Sequence, residues 1–162
     1  MADVLLGLGG NLGDPAAAIA AAIEGLSRGG VAVTARSGLY RTPPQGLTDQ
    51  PDFLNAAVAG RTALNPRALL DLALRVEAGL GRVRAERWGP RVIDIDLLAH
   101  DEAVIDEPGL RLPHPLLTTR AFVLVPLMDV APDRVILGRP VRDWAAAVDR
   151  AGIRRVEATA QG

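Results

Sequence analysis

Two aspartates one residue apart, Asp94 and Asp96, lie in a strand-like run from Val92 to Leu98. Four arginines, Arg82, Arg84, Arg87 and Arg91, precede them around a Trp88-Gly89-Pro90 turn. Successive side chains of a strand point to opposite faces, so both carboxylates project from one face and Ile93, Ile95 and Leu97 from the other. The two Cα atoms are then about 6.6 Å apart, near enough for the carboxylates to converge on one cation or on two neighbouring ones. Like charges this close on a half-buried strand are costly unless something positive lies between them, and hard oxygen ligands suit Mg²⁺ or Mn²⁺. A surface ion-pair network with the upstream arginines is the plainer account. The clustering favours chemistry: guanidinium forks match phosphate oxygens, and carboxylates hold the metal that bridges those phosphates. Loop and strand together point to phosphoryl transfer.

The elements that position these groups must come from 162 residues, enough for one domain, 1–162, with a sizeable core. There is no cysteine, hence no disulfide framework and no thiolate metal site. No stretch has the form of a signal peptide or reaches membrane-spanning length, so the expectation is a cytoplasmic protein with no membrane partner. The formal charge of −1 gives no basic footprint for nucleic acid. All 18 basic side chains are arginine. A P-loop needs a lysine and the GxxxxGK[ST] pattern, so any use of ATP takes another route.

In order along the chain, Asp3 to Gly9 reads as a strand ending in the turn Gly9-Gly10-Asn11-Leu12-Gly13. Gly7 and Gly9 open a dinucleotide-like pattern, but position 12 is leucine where GxGxxG needs glycine. Asp14-Pro15 caps a helix to Arg28, and Val31 to Tyr40 alternates as a second strand. Arg41 to Asp52 is a polar, proline-rich loop long enough to serve as a lid, or to be an ordinary connection. Phe53 to Thr62 reads as a third strand, with Phe53, Asn55 and Ala57 on one face. A polar amide there is either a satisfied structural group or a ligand contact. Asn65-Pro66 starts a second helix, stopped by Gly81, with Glu77 in its last turn. Beyond the carboxylate strand come a short strand near Ile105, an extended Leu110 to Pro115 with His114 between two prolines, and a helix or buried turn at Phe122 to Val130. An amphipathic helix near Trp144 and an edge strand at Val156 complete the chain. The order strand, helix, strand, strand, helix, strand predicts a ferredoxin-like βαββαβ α+β sheet with packed helices and a C-terminal extension, its first and fourth strands central and adjacent.

Several motifs, in order and suitably spaced from about residue 4 to residue 132, resemble the 6-hydroxymethyl-7,8-dihydropterin pyrophosphokinase family. They are Tyr40-Arg41-Thr42-Pro43-Pro44, Asp52-Phe53-Leu54-Asn55, Glu77 with Gly81-Arg82-Val83-Arg84, and Arg87-Trp88-Gly89-Pro90-Arg91 with Asp94-Ile95-Asp96. Pro113-His114 and Arg120-Ala121-Phe122 follow. The resemblance implies transfer of the β,γ-pyrophosphoryl group of ATP to the hydroxymethyl oxygen of a dihydropterin, in folate biosynthesis. It implies two Mg²⁺ ions on Asp94 and Asp96, with Arg82, Arg91 and Asp96 acting on the reacting groups. A pterin would stack between Phe53 and Phe122, its edge read by Asn55 and by Thr42, Pro43 and Pro44, with Trp88 closing over it. ATP would meet Glu77, Arg84, Arg87, His114 and Arg120. The loops Arg41 to Asp52 and Arg82 to Arg91 are expected to close over bound ligands, since water competes for an activated phosphate. The implied partners are these small molecules alone, and the implied state is a monomer.

The chain departs from the family pattern at Gly10, where serine is usual, and at Leu74, where glutamine is common. It also lacks a lysine that some members carry in the arginine loop. Two other classes fit parts of the pattern. RNA-binding modules share the fold but stack bases on aromatics, and aromatic residues are only 3% of this chain. A metal-dependent phosphohydrolase would use the same aspartates with water as acceptor.

Overall fold

The computed structural model describes residues 1–44, 49–81 and 92–156. Strand β1 (Ala2–Gly10) is followed by helix α1 (Pro15–Gly29), strands β2 (Val31–Arg36), β3 (Leu39–Thr42) and β4 (Phe53–Thr62), helix α2 (Pro66–Gly79) and strand β5 (Asp94–His100). The α+β class and the βαββαβ order are those expected, with the second strand divided in two. Both long helices start at their sequence caps. Asp14 Oδ1 accepts from Ala17 N at 3.1 Å and Asn65 Oδ1 from Ala68 N at 2.8 Å. A proline follows each cap, where its missing N–H has no intrahelical acceptor to lose.

The division at Ser37-Gly38 has a local cause. The Ser37 hydroxyl accepts from Ala57 N at 2.8 Å, so a side chain replaces a backbone rung between β2 and β4. Gly38 N turns away from the ladder to donate to Asp129 Oδ2 at 3.0 Å. Beyond β5 the chain forms the hairpin β6 (Ile105–Glu107) and β7 (Leu110–Leu112), then helix α3 (Ala121–Val130). The hairpin β8 (Val135–Ile136) and β9 (Arg139–Pro140), helix α4 (Val141–Ala146) and strand β10 (Arg154–Val156) complete it.

The main sheet runs β10-β3-β4-β1-β5, with β2 also paired to β4, and every pairing in it is antiparallel. The first and fourth strands of the sequence plan, β1 and β5, are neighbours as expected, but β5 stands at the edge. The central places belong to β1 and β4, because β4 takes the β2/β3 segment on one side and β1 on the other. Leu6 pairs with Leu97 and Leu5 with Ala99, which leaves Leu98 as the extra residue of a bulge in β5.

One face of the sheet packs Val4, Leu6, Leu8, Val58, Ile95 and Leu97 against Ile19, Ile23 and Leu26 of α1 and Leu69 and Leu72 of α2. On the other face Leu5, Ala57 and Leu98 pack against Leu124 and Leu127 of α3 and Val141 and Ala145 of α4. This second layer covers one end of its face, and the uncovered end carries Gly7, Gly9, Asn55, Asp94 and Asp96, which line a cleft. Among the described residues no helix is long and apolar enough to cross a membrane.

Candidate active site

The floor of the cleft follows from strand register. Gly9 of β1 lies opposite Asp94 on one side and Asn55 on the other, and Gly7 lies opposite Asp96 and Ala57. Glycines two apart in a strand present a bare patch to one face, and here it adjoins the carboxylates. A Cβ at Gly9 would lie 2.6 Å from Asn55 Oδ1, so the missing side chain is what lets the amide lie over β1. Asn55 is 8% exposed and donates to Thr42 Oγ1 at 2.8 Å, which fixes which end of the amide faces which neighbour.

A cavity of about 90 Å³ gathers Thr42, Pro43, Phe53, Asn55, Asp94, Asp96, Arg120 and Phe122, together with Gly7, Gly9 and Val123. Eight residues expected from the sequence thus share one space. Its walls are aromatic and its far edge is a buried amide and hydroxyl. Arg120, the residue before α3, holds its guanidinium 5.2 Å from the centroid of the Phe122 ring, a cation–π contact across the mouth. Pro44, half-buried just beyond Pro43, is not among the lining residues. On the approach to β4, Asn11 donates from Nδ2 to Gln50 Oε1 and to Pro51 O, both at 2.9 Å, tying the glycine turn to the end of the proline-rich loop.

A second cavity, of about 360 Å³, lies between β5, α2 and the β6–β7 hairpin region, lined by Leu70, Asp96, Leu110, Arg111 and His114 among others. Asp96 borders both cavities. The His114 backbone N donates to Leu98 O at 3.0 Å, and its Nδ1 accepts from Leu116 N at 3.2 Å. Burial first, then the Arg120 guanidinium, lowers the imidazole pKa from its ordinary 6.5, while the Asp94 carboxylate pulls the other way. The unfolded chain therefore binds this proton more readily than the fold does. The contribution of His114 to stability is present above pH 6.5 and is lost as the pH falls through 6.5 toward the lower folded value. In the absence of ligands, denaturant unfolding at about pH 7.5 and about pH 5.5 is expected to show a larger acid loss of stability for the wild type than for His114→Asn.

Glu77 borders neither cavity. It is 3% exposed, and its Oε2 accepts from Ile95 N at 2.7 Å, the amide between the two aspartates. An edge strand has backbone groups with no strand partner, and a carboxylate satisfying one of them fixes the strand where Asp94 and Asp96 project. Glu77→Ala is expected to lower stability by about 2 kcal/mol or more, with Glu77→Gln, which keeps an acceptor, losing less. Thermal unfolding of the two variants measures this.

The sequence reading did not single out Gly7 and Gly9 as a floor, nor Leu70, Leu110 and Arg111 beside His114. For the glycines the signal was present as two bare positions at strand period. For the second cavity it was not, because its walls come from three separate elements. The expected roles of Arg82, Arg84, Arg87, Trp88 and Arg91 fall on residues outside the described ones. Among the described residues no group of three or more His, Cys, Asp or Glu is placed to hold a metal. Two carboxylates beside bare glycine backbone suit an ion that takes few protein ligands and shares the rest with water and phosphate oxygens.

An antiparallel α+β sheet whose central strands floor a cleft, with paired carboxylates of which one also borders a second cavity, is the frame of a small-molecule enzyme. Residues 5–132 match the family described as 7,8-dihydro-6-hydroxymethylpterin-pyrophosphokinase (HPPK). The chain is 56% identical over 158 residues to the 2-amino-4-hydroxy-6-hydroxymethyldihydropteridine pyrophosphokinase of Methylorubrum extorquens, covering 97% of this chain and 100% of that one. It is 43% identical over 155 residues to the protein of the same name from Pseudomonas aeruginosa, covering 94% and 96%. In fold it is similar to the Plasmodium falciparum HPPK-DHPS wild type with pteroate, with a TM-score of 0.70 and 16% identity, over 90% of this chain and 42% of that one. The chain belongs to the 6-hydroxymethyl-7,8-dihydropterin pyrophosphokinase family.

Proposed function

We infer that this enzyme transfers the β,γ-pyrophosphoryl group of ATP to the hydroxymethyl oxygen of 6-hydroxymethyl-7,8-dihydropterin, giving the pterin diphosphate and AMP in folate biosynthesis. Asp96 on the border of both cavities is the observation that carries the mechanism, since it stands where an acceptor in one would meet a donor in the other. The first cavity is read as the pterin pocket. Phe53 and Phe122 offer flat faces, and Asn55, oriented by Thr42, offers an amide to the polar edge of a ring. The second is read as the nucleotide side, where Arg111 and a neutral His114 face a triphosphate or its base. Glu77 accepts from the Ile95 amide and so sets the strand that carries both aspartates, beside the ATP contact that the resemblance implies for it.

Asp94 and Asp96 would hold Mg²⁺, two ions in this reading, and the metal would spread the charge of the phosphate oxygens in the transition state. The hydroxymethyl oxygen attacks the β-phosphorus as its bond to the α-phosphate oxygen breaks, and AMP leaves with that oxygen. The proton of the hydroxyl passes to Asp96 or to solvent beside it. Arg120 at the mouth, with Arg82, Arg84, Arg87 and Arg91, supplies fixed positive charge to the moving phosphates. Trp88 and the Arg41 to Asp52 loop exclude water once ligands are in place. We propose that the whole chain is one domain acting as a cytoplasmic monomer, without nucleic acid as a partner. The formal charge of −1 supports the absence of a nucleic-acid partner, and the absence of cysteine supports the compartment.

Product analysis tests the reading. Protein with Mg²⁺, ATP and 6-hydroxymethyl-7,8-dihydropterin is expected to yield AMP and pterin diphosphate in equal amounts. ADP would mean transfer of a single phosphoryl group, and nucleotide loss independent of the pterin would mean a phosphohydrolase.

A further inference from the structure

The family match ends at residue 132, yet the last described strand belongs to the same sheet as the cleft. β10 runs antiparallel to β3, with Arg154 opposite Arg41, Arg155 opposite Tyr40 and Val156 opposite Leu39. β3 ends at Thr42, and Pro43 follows, so the tail runs beside the strand that becomes the pocket wall. It also reaches that wall. Gly152 has φ +84, and a Cβ built there would lie 3.4 Å from both Cγ and Cδ of Pro43.

The same tail also meets α3, the helix that carries Phe122, at its far end. Arg155 lies over the Tyr40 ring, 5.8 Å from its centroid, and its Nη1 is 3.7 Å from Asp129 Oδ2. That carboxylate accepts from the Tyr40 hydroxyl at 2.8 Å and from Gly38 N at 3.0 Å. Burial first, then Asp129, pushes the Tyr40 phenol above its ordinary pKa, so the hydroxyl stays a donor. Asp129 sits on α3, whose first turn carries Phe122. The guanidinium is seated by design of the backbone: a Cβ at Gly38 would lie 2.8 Å from it. The Arg155 side chain is 60% exposed, and exposed ion pairs add little to stability, so stability alone does not explain this seating.

We infer that the segment Gly152 to Val156 is a positioning element for the pterin pocket, setting the separation between the Thr42-Pro43 wall on β3 and the Phe122 wall on α3. The inference rests on reading that cavity as the pterin site. Arg155 acts through Tyr40 and Asp129, and Gly152 through Pro43; neither borders the cavity. A shift of the Thr42-Pro43 wall relative to Phe122 by a fraction of an ångström changes the room for a flat ligand in that cavity without disturbing ATP in the second one.

The test uses the full chain with Arg155→Ala, Arg155→Lys and Gly152→Val, measuring kcat and the KM of each substrate alongside melting temperature. Arg155→Ala and Gly152→Val are expected to raise the dihydropterin KM roughly tenfold, with the ATP KM unchanged. Arg155→Lys, which keeps the charge but not the planar stack, is expected to recover part of the loss. If Gly152→Val fails to fold, the two Arg155 variants decide. Equal changes in both KM values, or an unmoved dihydropterin KM in Arg155→Ala, overturn the inference. A wild type that does not turn over the dihydropterin at all overturns instead the function proposed above.

Discussion

Asp96→Asn is expected to lower kcat by about 10³-fold or more, while dihydropterin affinity stays within about twofold of the wild type. The substitution keeps the size and shape of the side chain and removes its charge at the border of the two cavities. Three contributions go with that charge: a metal ligand, half of the field facing the phosphate oxygens, and an acceptor for the hydroxyl proton. Asp94→Asn removes only the first two and is expected to lose less. Single-turnover kinetics across a Mg²⁺ titration separate the terms. A rate that recovers at high Mg²⁺ reports lost metal affinity, and a rate that does not reports lost chemistry. Near-normal turnover of Asp96→Asn would sink all three.

Gly9→Ala is expected to raise the dihydropterin KM by about 10- to 100-fold with the ATP KM unchanged, because one methyl group reaches the pocket through Asn55. A Cβ there would stand 2.6 Å from Asn55 Oδ1, inside any tolerable contact. A side-chain oxygen normally yields to such pressure, but Asn55 is buried and tied to Thr42 Oγ1 at 2.8 Å, so moving it breaks the bond that orients it. The loss then falls on recognition of the ligand's polar edge. Gly7→Ala is the control. Its nearest foreign atom is Leu98 Cδ1 at 3.5 Å, an ordinary contact, so a rise in KM there reports a methyl on the floor of the cavity and not a displaced Asn55, and is expected to be smaller than that of Gly9→Ala. Isothermal titration with the dihydropterin, and separately with a nonhydrolysable ATP analogue, measures both variants.

Much of this architecture is legible in the residues, and the limits of that legibility are physical. The helix starts could be read because Asp14-Pro15 and Asn65-Pro66 solve a local problem with local groups, and the capping bonds are present. The shared face of Asp94 and Asp96 could be read because strand period alone decides it, and both line the cleft. The break between β2 and β3 could not, since it depends on Ser37 meeting Ala57, twenty residues away. Nor could the edge position of β5, which follows from β4 having taken partners on both sides. Glu77 shows the limit most clearly. The resemblance implies a ligand contact for it, and its carboxylate in the fold also accepts from the Ile95 amide, a relation that no spacing in the chain announces.

The cleft is floored by β1 and β4, the two central strands, with no loop between the glycines and the core beneath them. Backbone of this kind opens only when the sheet as a whole comes apart, so its amides belong to the slowest-exchanging set in the molecule. The practical result concerns durability. Heat is expected to abolish dihydropterin binding and melt the fold at one and the same temperature, with no range in which a folded protein has lost its pocket. Any ligand that tightens the floor extends the working life of the enzyme by the same mass action that raises its melting point.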